Sequence, residues 1–378
     1  MAAVAAMVAF GTPAGVSRAQ AQDTVPVRAI AVPSRPMASE AASAKVTRFS
    51  FIVYGDTRGP RDGIELHDVH AHIVESMLQT IRRLKGGPDP VRFVIQSGDA
   101  VVRGSSAQQW NVSFVPIVDR LATEGGVPYF LAPGNHDVSS ADTVGAPSRA
   151  PGLRNFYDAL AKIIPPNGSP HRLRDYPVYS FAYGNTYVIA FDSNIAGDTV
   201  QYAWVKSQLE HVDRRRYAHI VVFCHHPAFS SASHGGPTVE RSTLAIREKY
   251  MPLFRAAGVD LMFVGHEHEF EHWVETWKDA RGGTHRLDQV VTGGGGAPLY
   301  VYKGEPDLTS YLAAGAAQSL QVTHLVRPAA DTTGNPHHYV VVHVDGAKVW
   351  QEVIGVDWGA GFAPYRTNRV DLVRPPGR

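Results

Sequence analysis

Short apolar runs punctuate most of the chain, and the best defined of them stop at a Gly, Asp, Asn or His. Val46–Tyr54 ends at Gly55-Asp56, Val91–Gln96 at Ser97-Gly98-Asp99, and Val127–Leu131 leads into Pro133-Gly134-Asn135-His136-Asp137. Ala218–Cys224 ends at His225-His226-Pro227, and Val259–Val264 at Gly265-His266-Glu267-His268. Runs of this length closed by turn residues read as buried strands giving way to tight loops. Between the first three, Val69, Ile73, Met77, Leu78, Ile81 and Leu84 recur at helical spacing, and Ala107–Leu121 reads as a second helix. Strand, helix, strand, helix, strand at this spacing predicts an α/β fold with right-handed crossovers and parallel pairing.

Further along, Val178–Tyr183 and Tyr187–Asp192 joined at Gly184-Asn185 read as a β-hairpin. Leu153–Ile164, Gln201–Arg214 and Thr243–Ala257 read as helices, and strands are expected near Phe270–Val274 and Gln289–Thr292, the last running into Gly293-Gly294-Gly295-Gly296. Residues 303–335 give no firm element beyond a short helix at Ser310–Leu320. Tyr339–Val344 and Val349–Val356, joined at Asp345-Gly346, predict a terminal hairpin, and the tail from Asp357 reads as irregular.

Composition adds bounds. The 378 residues are 44% hydrophobic and 19% charged, enough for a sizeable core with appendages. A net charge of +1 gives no signal for binding nucleic acid or an anionic membrane. The single cysteine, Cys224, excludes a disulfide framework and a Cys-based zinc site, and reads as a buried strand residue. Met1–Phe10 is almost wholly apolar and is followed by Ala19-Gln20-Ala21, a small-x-small cleavage pattern. Residues 1–21 are therefore expected to direct export to the periplasm or outside the cell, and residues 22–47 to form a flexible linker. No segment reaches transmembrane length. The remainder divides into a main domain over 48–302 and a C-terminal extension over 303–378 that completes or flanks it. Nothing in the sequence specifies an oligomeric state.

The five strand ends carry Asp56, Asp99, Asn135-His136, His225-His226 and His266-Glu267-His268. Carboxylate, amide and imidazole groups together accommodate Zn, Fe or Mn and disfavour Mg or Ca. Two such ions sharing a carboxylate turn water into hydroxide at neutral pH, which is the help a phosphate ester needs.

In the order Gly55-Asp56, Gly98-Asp99, Gly134-Asn135-His136-Asp137, His225-His226-Pro227 and Gly265-His266-Glu267-His268, residues 48–300 resemble the calcineurin-like metallophosphoesterases. The resemblance implies a four-layer α/β/β/α sandwich of mixed sheets with helices outside. It implies two divalent or trivalent transition metal ions (Fe, Mn or Zn), and hydrolysis of a phosphomonoester or phosphodiester by direct attack of a metal-bridging hydroxide. Asp99 would bridge the ions. Asp56 and His268 would hold the first, and Asn135, His225 and His266 the second. His136 would contact the phosphoryl group or protonate the leaving group, and Asp137 would orient His136. His226 reads as lining the pocket, and Gly293–Gly296 as a close backbone approach beside the site.

One position departs from the pattern. Many relatives have Asp-x-His in the first motif, where this chain has Asp56-Thr57-Arg58. Arg cannot ligate a cation, because it stays protonated and has no lone pair to offer. Purple acid phosphatases place a Tyr three residues after the second-motif Asp instead, and here that residue is Val102. Arg58 is then a clamp on substrate phosphate or a structural ion pair. Among His67, His70 and His72, which follow this loop, His70 is the candidate to complete the first metal, with the other two solvated. Two alternatives stay open: a single-metal hydrolase with a vacant first site, and a non-catalytic protein that binds a phosphorylated ligand.

Overall fold

The computed structural model describes residues 25–356 and the short strand Val370–Asp371. The expected export segment and most of the tail from Asp357 lie outside the described residues. In chain order the strands are β1 (Arg48–Tyr54), β2 (Val91–Gln96), β3 (Tyr129–Leu131), β4 (Tyr179–Tyr183), β5 (Thr186–Ala190), β6 (His219–Phe223) and β7 (Leu261–Val264). They continue with β8 (Phe270–Lys278), β9 (Thr284–Thr292), β10 (Gln321–Val326), β11 (His337–Asp345), β12 (Lys348–Val356) and β13 (Val370–Asp371). They form two mixed sheets, ordered β13-β12-β11-β1-β2-β3 and β10-β8-β9-β7-β6-β5-β4.

Alternation along the strands sets the layers. In the first sheet Phe49, Phe51 and Phe93 face the second, where Phe51 meets Phe263 edge-on at 6.0 Å and Phe130 stacks on Phe181 at 4.0 Å. From the opposite side of β1, Tyr54 contacts His70 of helix α1 (Asp68–Leu84). The buried stripe Ile73, Met77, Leu78, Ile81 and Leu84 seats α1 on this outer face. In the second sheet Val221 and Phe223 belong to the core shared with the first, whereas Ile220, Val222 and Cys224 pack with Val205, Leu209, Met251 and Phe254 of the helices Thr199–His211 and Met251–Ala257. The architecture is thus helices, sheet, sheet, helices.

Several local expectations change. The helix expected over 107–121 is broken by a wide π turn at Trp110–Phe114, and a second π turn, Ile246–Tyr250, interrupts the helix expected over 243–257. β10 forms where no element was expected; its alternation of exposed and half-buried residues marks the edge of the second sheet. The C-terminal hairpin lies within the first sheet, where β11 pairs with β1 from Arg48↔Asp345 to Val53↔Val340.

The flexible linker is also corrected. Val27 and Ile30 are buried in the core, the Ile30 N–H donates to Ala159 O at 2.9 Å, and the Gly184 N–H donates to Ser43 Oγ at 3.2 Å. A few buried apolar anchors order a segment whose composition is otherwise linker-like.

Candidate metal centre

The loops after β1, β2, β3, β6 and β7 meet at one edge, stitched together through their backbones. The Asp56 N–H donates to Gly98 O at 3.0 Å, and the Gly265 N–H donates to His225 O at 2.9 Å. Three candidate ligands stand at positive φ: Asp56 (59°), Asp99 (56°) and His266 (72°). That conformation costs a non-glycine residue free energy, and its concentration at one edge is the mark of a functional site. The Gly293–Gly296 run is the close approach expected. Its Gly295 N–H donates to Gly55 O at 2.8 Å, and a Cβ on Gly295 would fall 2.1 Å from that oxygen.

In the second half of the centre, four acceptors converge. The His225 Nδ1 faces Ser97 O at 3.1 Å, and since a carbonyl only accepts, that nitrogen carries the proton. Nε2 is left bare, facing Asn135 Oδ1 at 2.9 Å, His266 Nδ1 at 3.1 Å and Asp99 Oδ1 at 3.4 Å. His266 Nε2 donates to Glu240 Oε2 at 3.0 Å, which leaves Nδ1 bare as well. Lone pairs aimed at one another without a donor fit a metal ion, and protons fixed on the far nitrogens are how ligating imidazoles are oriented. Asp56, Asp99 and His225 form a buried group able to hold an ion, and His226, Glu240 and His266 form another whose Glu240 is exposed.

The first half is built differently. The His268 Nδ1–H donates to Pro298 O at 2.7 Å, so its Nε2 is bare, 3.5 Å from Asp56 Oδ1. Arg58 already lies against these donors. Its Nε donates to Asp99 Oδ2 at 3.2 Å, and one terminal nitrogen donates to His268 Nε2 at 3.3 Å. The second position therefore fits an ion as it stands, while at the first a guanidinium engages two of the three expected ligands. Burial opposes ionisation of Asp99, but the charges of His225, His136 and Arg58 outweigh it and hold that carboxyl well below the usual range. His225 is shifted down by burial, partly offset by Asp99; His266 is shifted up, because its bond to Glu240 outweighs burial.

His136 stands at the mouth. Its ring is 32% exposed, Nδ1–H donates to Val102 O at 2.8 Å, and Nε2 points inward, 4.0 Å from Asp99 Oδ2. The backbone carbonyl of Val102, where purple acid phosphatases carry a Tyr, thus orients the expected proton donor.

Three expectations fail here. Asp137 does not orient His136. Its buried carboxylate accepts the N–H groups of Asp99, Gly134 and Ala100, each at 2.9 Å, and so ties the second-motif loop to the third. Nor does His70 complete the first metal. It is buried within α1, with Nε2 3.0 Å from the Tyr54 hydroxyl and its ring stacked on Phe114. His67 is not solvated either: it is half-buried between Gly59 and Gly296, and burial pushes it down to about 4. His226 lines the centre as expected, with Nδ1 2.8 Å from Ser193 Oγ.

Sequence reasoning missed Glu240 and Tyr300. Tyr300 stacks on His268 with ring centroids 4.1 Å apart, its N–H donates to His268 O at 3.0 Å, and its hydroxyl meets Arg58. Asp192 was missed too. Paired with the buried Arg149, it accepts from the Asn194 side-chain amide at 2.9 Å, and that amide also donates to Pro133 O at 3.0 Å, bracing the His136 loop from below.

Comparison with known proteins bears on the family and the fold. A family model described as calcineurin-like phosphoesterase matches residues 49–270. A probable inactive purple acid phosphatase 24 of Arabidopsis thaliana is 27% identical over 66% of this chain, which spans only 41% of that protein. The serine/threonine-protein phosphatase CPPED1 of Rattus norvegicus is 23% identical over 60% of this chain and 65% of its own length. Among solved structures, the yellow lupin purple acid phosphatase PPD1 aligns over 87% of this chain and 55% of its own, with TM-score 0.58 and 19% identity, which shows the shared fold. With more than half its length matched by that family model, the chain belongs to the calcineurin-like phosphoesterases.

Proposed function

We propose that this chain is a metal-dependent phosphoesterase that hydrolyses phosphomonoester or phosphodiester bonds without a covalent enzyme intermediate. One observation carries the reading: Asn135 Oδ1, His225 Nε2, His266 Nδ1 and Asp99 Oδ1, the last also accepting the His136 N–H at 2.9 Å, converge with no donor between these side chains, beside the inward-facing Nε2 of His136. Asp99, Asn135, His225 and His266 would hold one ion, and Asp56, Asp99 and His268 the other. Bound Fe, Mn or Zn would neutralise the phosphoryl oxygens and make a water acidic enough to attack phosphorus. The residues supply the rest. His136 keeps its Nδ1–H on Val102 O and, when doubly protonated, gives the proton on Nε2 to the departing oxygen. Asp137 fixes the loop that carries His136, and Glu240 fixes the face that His266 presents. Arg58, once displaced from Asp99 and His268, has the fork geometry to hold a phosphoryl oxygen. The Ala19-Gln20-Ala21 pattern supports placing this reaction outside the cytoplasm.

The contacts of Arg58 favour a second reading, in which the guanidinium keeps the first position and a single ion is held. Metal analysis separates the two, at two ions per chain or one. The test of the activity is hydrolysis of mono- and bis-p-nitrophenyl phosphate before chelation, after it, and after add-back of Mn, Zn or Fe. Turnover that is lost and then restored supports the reading. Inertness under every metal sinks it in favour of a binding role.

A further inference from the structure

The loop that follows the first motif carries a carboxylate with no part in the reaction described so far. Asp62 stands four residues beyond Arg58 and is half-buried. Its Oδ2 accepts the Val102 N–H at 2.9 Å, and its carboxylate also takes the backbone N–H of Gly59. Burial pushes Asp62 up to about 6, against the pull of those two N–H groups and of the Arg58 charge. A carboxylate held against its own desolvation beside a catalytic centre is a candidate for a task there.

The loop around Asp62 is tied down. The Gly63 N–H donates to Ser113 Oγ at 2.7 Å, Gln108 Nε2 donates to Gly63 O at 2.7 Å, and Ser113 Oγ donates to Glu65 O at 2.6 Å. Ser113 belongs to the π turn Trp110–Phe114, a distortion found frequently at functional sites. From the same turn Trp110 Nε1 donates to Gly104 O at 2.9 Å. One turn thus braces both the Asp62 loop and the segment 102–104.

That segment grips His136 at two points. Val102 O accepts the ring Nδ1–H at 2.8 Å, and the Gly104 N–H donates to His136 O at 2.8 Å. Two carboxylates divide the N–H groups that lead up to it. Asp137 takes those of Asp99 and Ala100 at 2.9 Å and of Val101 at 3.4 Å, and Asp62 takes that of Val102. Asp137 therefore fixes the backbone of Asp99, and Asp62 fixes the residue whose carbonyl turns the His136 ring.

We propose that Asp62 is a positioning residue for His136, acting through the backbone of Val102. The proposal rests on the phosphoesterase reading above. Proton donation matters only where the departing oxygen is a strong base, so two esters test it on the metal-loaded full chain. Dinitrophenyl phosphate releases a phenolate that needs no proton, and phenyl phosphate releases a far more basic one. For Asp62→Asn, which keeps the size and removes the charge, kcat on phenyl phosphate should fall about tenfold, part of the roughly 10²- to 10⁴-fold that a general acid contributes. Its kcat on dinitrophenyl phosphate, both KM values and the metal content should stay within about twofold. Asp62→Ala should repeat this pattern. In a His136→Ala background neither change should cost anything more, because the group being positioned is gone.

An unchanged kcat on phenyl phosphate in both variants overturns the proposal. So does an equal loss on the two esters or a loss of metal, either of which would make Asp62 a prop for the whole centre, and so does a further loss in the His136→Ala background. In those cases the phosphoesterase reading survives. Failure of the wild type on every ester under every metal removes both.

Discussion

His136 has one ring nitrogen committed to the carbonyl of Val102 and the other free at the mouth of the centre. The ligands His225 and His268 share this division, and what sets His136 apart is its place at the mouth, with its ring 32% exposed. Replacing His136 with Ala should leave the metal content unchanged and lower kcat by about 10²- to 10⁴-fold, the range for losing a general acid. Elemental analysis alongside steady-state kinetics checks this, and an unaltered kcat removes the role. Arg58 makes a prediction of opposite sign for the two ligands of the centre. It competes with an ion for Asp99 Oδ2 and His268 Nε2, so Arg58→Ala should bind the first ion more tightly. The same change should weaken binding of the phosphate ester by about 2 kcal/mol, roughly thirtyfold in KM, the scale of a hydrogen bond to a charged group. Metal-buffered titration and KM measured on one preparation test both halves. If the first ion binds no better, Arg58 is not its competitor.

At the scale of the elements, the strand ends were legible because a buried strand must be apolar on both faces and must then stop. β1, β2, β6 and β7 are apolar runs closed by Gly or His, and the ligands of the centre sit at those closures. Glu240 was not legible. It comes from the loop 228–242, which has no periodicity, and only tertiary packing brings its carboxylate to His266. For Asp137 the resemblance implied a partner for His136, whereas its carboxylate turns inward to the amides of the neighbouring loop. The π turns left no signal, since one extra residue in a turn barely disturbs helical spacing.

β11 carries its own pH dependence. Burial pushes His338 down to about 4, with Nδ1 held at 3.0 Å from Pro336 O. Between about 4 and the unfolded value near 6.5, the unfolded chain binds the proton and the folded one does not. Stability is therefore complete above about 6.5 and is lost as pH falls toward 4, by about 3 kcal/mol at 1.36 kcal/mol per unit. Urea midpoints measured across that window should slope with pH in the wild type, and less steeply in His338→Gln. Equal slopes would assign the acid sensitivity elsewhere.

For the whole molecule, the family match ends at residue 270, yet the fold closes only with the last hairpin. β11 sits between β1 and β12, and removing it leaves β1 as an open edge, directly beneath the Asp56 loop. The strand also carries much of the core. Val340, Val341, Val342 and Val344 of β11, with Val349 and Val353 of β12, are all buried, and the Tyr339 hydroxyl meets Ser76 at 3.0 Å and Thr80 at 2.8 Å across the contact with α1. Six buried valines at about 1.5–3 kcal/mol each amount to about 9–18 kcal/mol, as large as the entire net stability of an ordinary domain. A chain ending at Pro336 should therefore have no cooperative urea transition, should aggregate through the exposed β1 edge, and should hold no stoichiometric metal. Circular dichroism, sedimentation and metal analysis of that truncation decide the matter. A soluble product with a sharp transition and bound metal would mean that β1 and β2 suffice to hold Asp56 and Asp99 in their left-handed conformations, and that the hairpin only covers a sheet already complete.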